Sequence, residues 1–498
     1  MSLLQKAICG AGLLAAGLSG YVQAQPASEE LRETVAAYRA AHERDILEEF
    51  FELLRLPNYA GNPDDIRRNA EHLAGLLERR GIKARILDTG AGSPAVYGER
   101  MVDGAKTTVL FYIHYDGQPV VAETWNTDPY TPVIKTGYEA RGGKAIALED
   151  LEFPLDPELR IFARSASDDK APVIAFLTAL DALDAAGIAP AVNIKLFLEG
   201  EEEAGSPHLG PMLEAFGDLL SADLLLFLDG PVHQSGRKKL SFGVRGIMGY
   251  DLTVYGPDRP LHSGHYGNFA PNPIAMLAHL LASMRDETGR VLIDGFYEDV
   301  APPSEAERAA IAAMPDIREQ LMDELALGRQ ESPGLRYQES ILWPAMNVKG
   351  IRAGEVGRAA RNAIVASATA AIGYRLVPEQ DPERLKRITI AHLEAQGYHV
   401  VEDEPDAATR RAHERVARIR WNDFAYASVR TAMDAPSSQA VIAIMRDLGL
   451  DPVLIPTSGG SLPIWYFVDA LDTPVIMLPI ANYDNNQHAE NENIRLGN

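Results

Sequence analysis

The chain has 498 residues, 46% hydrophobic and 23% charged, an ordinary globular composition that is too long for one compact core. Its 70 acidic and 47 basic residues leave a net charge of −23, which excludes nucleic acid and anionic membrane as partners through long-range repulsion. The acidity is read as a solubility device.

Residues 1–24 carry one lysine, Lys6, an apolar stretch from Ala7 to Leu18, and small residues at Val22 and Ala24. That order predicts a secretory signal peptide, and the stretch is too short to span a bilayer. The expected location is therefore secreted, periplasmic or extracellular, with no membrane contact after signal removal. Cys9 is the only cysteine, so a mature chain starting near Gln25 has none and must be held by packing, helped by bound metal.

An amphipathic helix is predicted from Ser28 to Leu56, where Pro57 stops it, and a second from Pro63 to Arg80, closed by Gly81. Apolar runs then end repeatedly on acids or histidines. Residues 107–113 stop at His114 and Asp116, Leu159–Ala163 leads to Asp168, and 192–198 leads to Glu202 and Glu203. Residues 223–228 stop at Asp229, and 473–480 leads to a polar loop holding His488. Alternating with helical patterns, such runs predict buried parallel strands covered on both faces. Residues 137–158 read as an inserted loop or hairpin.

After Lys239 the texture changes. Leu240–Val244 and Gly249–Tyr255 predict antiparallel strands, Asn272–Met284 a helix, and 304–328 a helical stretch broken near Pro315. Ala366–Leu376 predicts a strand, Pro382–Ala395 a helix and Tyr398–Asp403 a strand. Arg410–Arg420 reads as a solvated helix face. The fold class expected is α/β, a mixed, mostly parallel sheet with helices on both faces, plus an inserted α+β module. The α/β pattern resumes with a helix at Ser437–Leu448.

In open α/β sheets, ligands sit beyond the carboxyl ends of the strands, so the acids and histidines are expected to converge. Carboxylate oxygen and imidazole nitrogen bind divalent cations, and crowded carboxylates call for such a counter-charge. His114, Asp168, Glu203, Asp229 and His488 form the candidate ligand set, with Asp116 and Glu202 close by.

The ordered motifs His-Tyr-Asp-Gly-Gln-Pro (114–119), Ala-Ser-Asp-Asp-Lys (166–170), Glu-Gly-Glu-Glu-Glu-Ala-Gly-Ser (199–206), Leu-His-Ser-Gly (261–264) and Gly-Gly-Ser-Leu-Pro (459–463) resemble a known family. It is the co-catalytic zinc peptidases, including carnosinases, aminoacylases, glutamate carboxypeptidase and succinyl-diaminopimelate desuccinylase. The resemblance implies a catalytic domain of 25–240 with 426–498, and a lid and dimerisation domain of 241–425 in a homodimer. It implies two divalent ions, zinc first, with manganese or cobalt as alternatives.

By the same resemblance, Asp168 bridges both ions and the Asp168–Asp169 peptide is cis. His114 and Asp229 complete one ion's shell, and Glu203 and His488 the other's. Asp116 would orient His114, and Glu202 would be the general base toward a metal-activated water. His262 would reach the partner's site to stabilise the oxyanion. Arg375, Asn362 and Ser461 would bind substrate, Arg375 through its terminal carboxylate.

The family's glycines near the bridging aspartate are Ala163, Ser165 and Ala171 here, its serine after the glutamate pair is Ala204, and Thr457-Ser458 replaces an Arg-Glu before Gly459. None removes a ligand, but the last alters the substrate pocket. The expected activity is cleavage of dipeptides or short peptides with a free C-terminal carboxylate. The alternatives are N-acyl amino acid deacylation by the same mechanism and a non-catalytic binding protein on this scaffold.

Overall fold

A computed structural model describes residues 28–422 and 425–498. The expected signal peptide at 1–24 lies outside the described residues. Among them, no helix is long and apolar enough to cross a membrane.

The first helix runs Ser28–Leu54 and the second Pro63–Glu78. Asn62 caps the second through Asp65 N–H, Pro63 occupies its first turn, and Gly81 takes the left-handed conformation that ends it (φ 68).

The main sheet has eight strands in the order 83–87, 95–100, 193–199, 108–114, 224–227, 475–477, 239–241, 453–455. Strands 193–199, 108–114, 224–227 and 475–477 are mutually parallel, and the strands flanking this block run antiparallel to it. The sheet is mixed, as expected, with its parallel block at the centre.

Both faces are covered, which explains runs without polar alternation. On one face Ile113, Leu196 and Leu198 pack with Leu53, Leu77 and Leu177 from helices. On the other, Tyr112, Phe197 and Phe227 pack with Leu213 and Phe467, the Tyr112 and Phe227 rings stacking at 3.9 Å.

Arg160–Phe162 departs from the sequence reading. It belongs to a separate four-stranded sheet, antiparallel to 133–135 and 493–495, because a short apolar run buries a strand of either sense. Ala145–Ile146 pairs back on 133–135, so the 137–158 insert contains the second arm of a hairpin.

The later module is built on a five-stranded sheet ordered 345–352, 367–376, 246–255, 416–421, 399–401, antiparallel except for its last pair. Met248, Tyr250, Leu252 and Val254 alternate inward with Ala368, Ala370, Ile372 and Tyr374, against Leu277, Leu280, Leu385 and Leu393 of two helices. The Tyr250 and Tyr374 hydroxyls meet at 2.8 Å, so the buried phenols are satisfied.

Two expectations fail in this module. Leu240 lies in the main sheet within 239–241, whereas Gly243–Val244 pairs with Val429–Arg430. Residues 416–421 form a strand with Val416, Ala417 and Ile419 buried, not a solvated helix face. The arginines that alternate with Ala417 and Ile419, Arg418 and Arg420, masked the apolar side of that strand.

Candidate metal centre

The carboxyl ends of the central strands place the acidic and imidazole groups together. His114 is the last residue of strand 108–114 and Asp229 lies two residues beyond 224–227. Glu202 and Glu203 lie in a tight helical turn just after 193–199. Asp168 precedes the helix Lys170–Ala185 and its peptide bond to Asp169 is cis. His488 comes from the loop between 475–477 and 493–495.

Two clusters result. His114, Asp168 and Asp229 offer one donor atom each within 4.8 Å of one another, and so do Asp168, Glu203 and His488. Asp168 is common to both. Its Oδ1 lies 3.0 Å from His114 Nε2 and its Oδ2 lies 3.2 Å from His488 Nε2, which is 3.1 Å from Glu203 Oε2. Donors that share a tetrahedral ion at about 2.1 Å stand about 3.4 Å apart, so these separations suit convergence on cations.

Asp116 ties the set together. Its Oδ1 lies 3.3 Å from His114 Nδ1, and its two oxygens accept the backbone N–H groups of Glu202 (3.0 Å) and Glu203 (3.1 Å). Gln118 Nε2 donates to Glu203 Oε2 at 2.7 Å. Gly117 allows the close approach of this loop to the Asp168 loop, since a Cβ there would stand 2.3 Å from Ser165 Oγ.

The electrostatics also suit a cation site. Burial, reinforced by Asp168, pushes Asp229 up to about 7. Burial also raises Glu202 well above the usual carboxylate range, and Asp229, Glu203 and Asp168 add to the shift. Burial pulls His114 down, but Asp116 and Asp168 outweigh it and hold the ring well above its ordinary value. Asp168 resists its own burial through the two histidines and stays below the usual range. Asp168 Oδ2 is buried without a well-formed hydrogen bond. Divalent cations would satisfy these groups together.

The remaining expected residues fall into two groups. Arg375, in the strand 367–376, donates from Nη1 to Ser461 Oγ at 2.5 Å. His262 and Asn362 lie elsewhere, both exposed. His262 Nδ1 accepts Gly264 N–H at 3.1 Å, and Asn362 O accepts Ser263 N–H at 2.9 Å. His262 is in neither candidate cluster of its own chain.

Sequence reasoning missed two residues. Tyr426, whose phenol burial pushes up to about 12, hydrogen-bonds Ser461 and feels the charges of Arg375 and Glu202. Glu492, fully buried, accepts Arg164 Nη1 (2.7 Å), Ser165 N–H (3.0 Å), Ser167 N–H (3.0 Å), Ser167 Oγ (2.9 Å) and Asp168 N–H (3.0 Å). Only its position four residues after His488 could have drawn notice.

A mixed sheet whose central strands end on two carboxylate and histidine clusters sharing one aspartate, with an antiparallel module interposed, defines a metal-dependent hydrolase. The chain belongs to the M20 family of metallopeptidases. Residues 242–401 match that family's peptidase dimerisation domain. The chain is 30% identical over 415 residues to the Cys-Gly metallodipeptidase of Saccharomyces cerevisiae, covering 81% of this chain and 79% of that protein. It is 25% identical over 492 residues to the human Beta-Ala-His dipeptidase, covering 94% and 90%. The crystal structure of an M20 family metallo-carboxypeptidase from Sulfolobus solfataricus has a TM-score of 0.69 at 30% identity, covering 91% of this chain and 95% of that one.

Proposed function

We propose that this metallopeptidase hydrolyses the amide bond of dipeptides or short peptides with a free C-terminal carboxylate. The observation that carries the reading is Asp168, one carboxylate shared by two clusters of ligand-type groups. His114, Asp168 and Asp229 would hold one divalent ion, and Asp168, Glu203 and His488 a second. Imidazole and carboxylate donors suit zinc first, then manganese or cobalt.

Bound dications would supply the positive charge that makes an attacking water acidic enough for a carboxylate to deprotonate near neutral pH. Glu202 would accept that proton. Held with its backbone N–H on Asp116, it would deliver the proton to the leaving amine. Asp116 would fix the ring orientation of His114. Arg375, anchored on Ser461, would receive the substrate's terminal carboxylate, for which a planar guanidinium is suited.

His262 would act across a homodimer, reaching the partner's site to stabilise the tetrahedral oxyanion, with Asn362 as a polar contact beside it. Support comes from the match to a dimerisation domain and from apolar side chains exposed in the same module, Phe269 at 85% and Val356 at 88%. We divide the chain into a catalytic domain of 25–240 and 426–498 and a lid and dimerisation domain of 241–425. The order of charge, apolar stretch and small residues in 1–24 supports export by a signal peptide, which fractionation of expressing cells would test.

The test is Glu202→Gln. Metal content and folding are expected to stay nearly intact while turnover of dipeptides falls about 10²- to 10⁴-fold. Normal turnover would remove the base assignment. Native protein that cleaves N-acetyl amino acids but no dipeptide would replace peptide with acyl substrate and leave the chemistry unchanged.

A further inference from the structure

Beside Arg375 the molecule has a second cationic group, Arg245. Arg375 lies opposite Ile247 and Ala345 across its two neighbouring strands. Arg245 stands two residues before Ile247, in the break between Gly243–Val244 and the strand 246–255, close enough to Arg375 to feel its charge. Both arginines dock on one loop: Arg375 on Ser461 Oγ, and Arg245 through Nε on Gly459 O at 3.2 Å. Among the described residues, neither makes an ion pair. Burial and the charge of Arg375 weaken Arg245's hold on its proton, as expected of two guanidinium groups sharing a site without an anion.

Arg245 lines a cavity of about 880 Å³ together with Arg290, Arg318, Glu331, Trp343 and Gly460. Glu331, the one acid among these, is already engaged by Arg285 at 2.6 Å. The Arg290 guanidinium lies over the Tyr297 ring, 4.9 Å from its centroid. A chain of net charge −23 thus lines this partly aromatic space, next to the loop that carries Ser461, with three arginines and one acid. Such a space selects a small anionic group.

We propose that this cavity receives the side chain of the substrate's C-terminal residue, and that Arg245 makes it selective for aspartate or glutamate there. The proposal rests on the reading that Arg375 holds the terminal carboxylate of a dipeptide. With that carboxylate on Arg375, the side chain one carbon away reaches toward Arg245. A second carboxylate meets a fork able to bind it in bidentate fashion. An amide of the same shape leaves the guanidinium charge uncompensated.

The test compares kcat/KM of the metal-loaded protein for Ala-Glu and Ala-Gln, with Ala-Ala as reference. Native protein is expected to favour Ala-Glu over Ala-Gln about tenfold or more. Arg245→Gln should bring that ratio to about one, and Arg245→Lys should keep most of it. If Arg245→Gln does not fold, the native protein still decides the matter. Raising salt from about 0.05 M to about 0.5 M should increase KM for Ala-Glu more than for Ala-Gln. A native ratio near one, or equal losses on both substrates in Arg245→Gln, overturns the proposal and assigns Arg245 to holding the Gly459 loop. Ala-Ala cleavage with no acidic preference would leave the dipeptidase reading standing, whereas cleavage of no dipeptide would end both.

Discussion

The backbone N–H of Asp168 donates to the buried carboxylate of Glu492 at 3.0 Å. Glu492 also receives Ser165 and Ser167 and pairs with Arg164, so it fixes the loop that presents Asp168. It lies four residues after His488 and thereby couples the loops that carry two of the candidate ligands.

Glu492→Gln is expected to destabilise the protein by about 3 kcal/mol or more, because it leaves Arg164 a buried, unpaired charge. Metal affinity should fall with it, since Asp168 loses its anchor. Urea unfolding and metal titration of the same variant measure both. Stability and affinity equal to native would deny Glu492 a positioning role.

The convergence of the candidate ligand groups was legible because each follows an apolar run, and strand ends converge by geometry. Asp168 was found through a run that is not in the main sheet at all. Arg160–Phe162 delivers it from a small antiparallel sheet, and so short an apolar run carries no signal of strand direction. Glu492 and Tyr426 were not legible. Their contacts are to backbone amides and a hydroxyl distant in sequence, and such contacts impose no periodicity. The strand 416–421 was hidden by its outward arginines.

Lys170 is fully buried and donates to Leu53 O and Leu56 O, each at 3.0 Å, at the end of the first helix. Burial depresses it to about 7 from an ordinary 10.5. Between those values the unfolded chain binds more protons than the folded one, so this group's contribution to stability rises with pH across that window. The stability of the native protein relative to Lys170→Met should therefore rise as pH increases from about 7 to about 10.5. A difference independent of pH would contradict the depressed value.

If His262 serves the partner's site, two inactive chains repair each other. Mixing Glu202→Gln with His262→Ala, after subunit exchange, should give about a quarter of native activity, because half the dimers are mixed and each keeps one complete site. No recovery in dimers proven to be mixed would place His262 outside catalysis across subunits.

Chelation is expected to abolish activity, and zinc, manganese or cobalt to restore it to different extents. Activity that survives removal of all bound metal would contradict a metal-dependent role for the five-residue cluster.

Metal stoichiometry in purified variants tests the shared role of Asp168 most directly. Native protein should bind about two ions per chain, Asp229→Asn and Glu203→Gln about one each, and Asp168→Asn close to none, with all four folded. Two ions retained in Asp168→Asn, or a native protein that never exceeds one, would contradict the account.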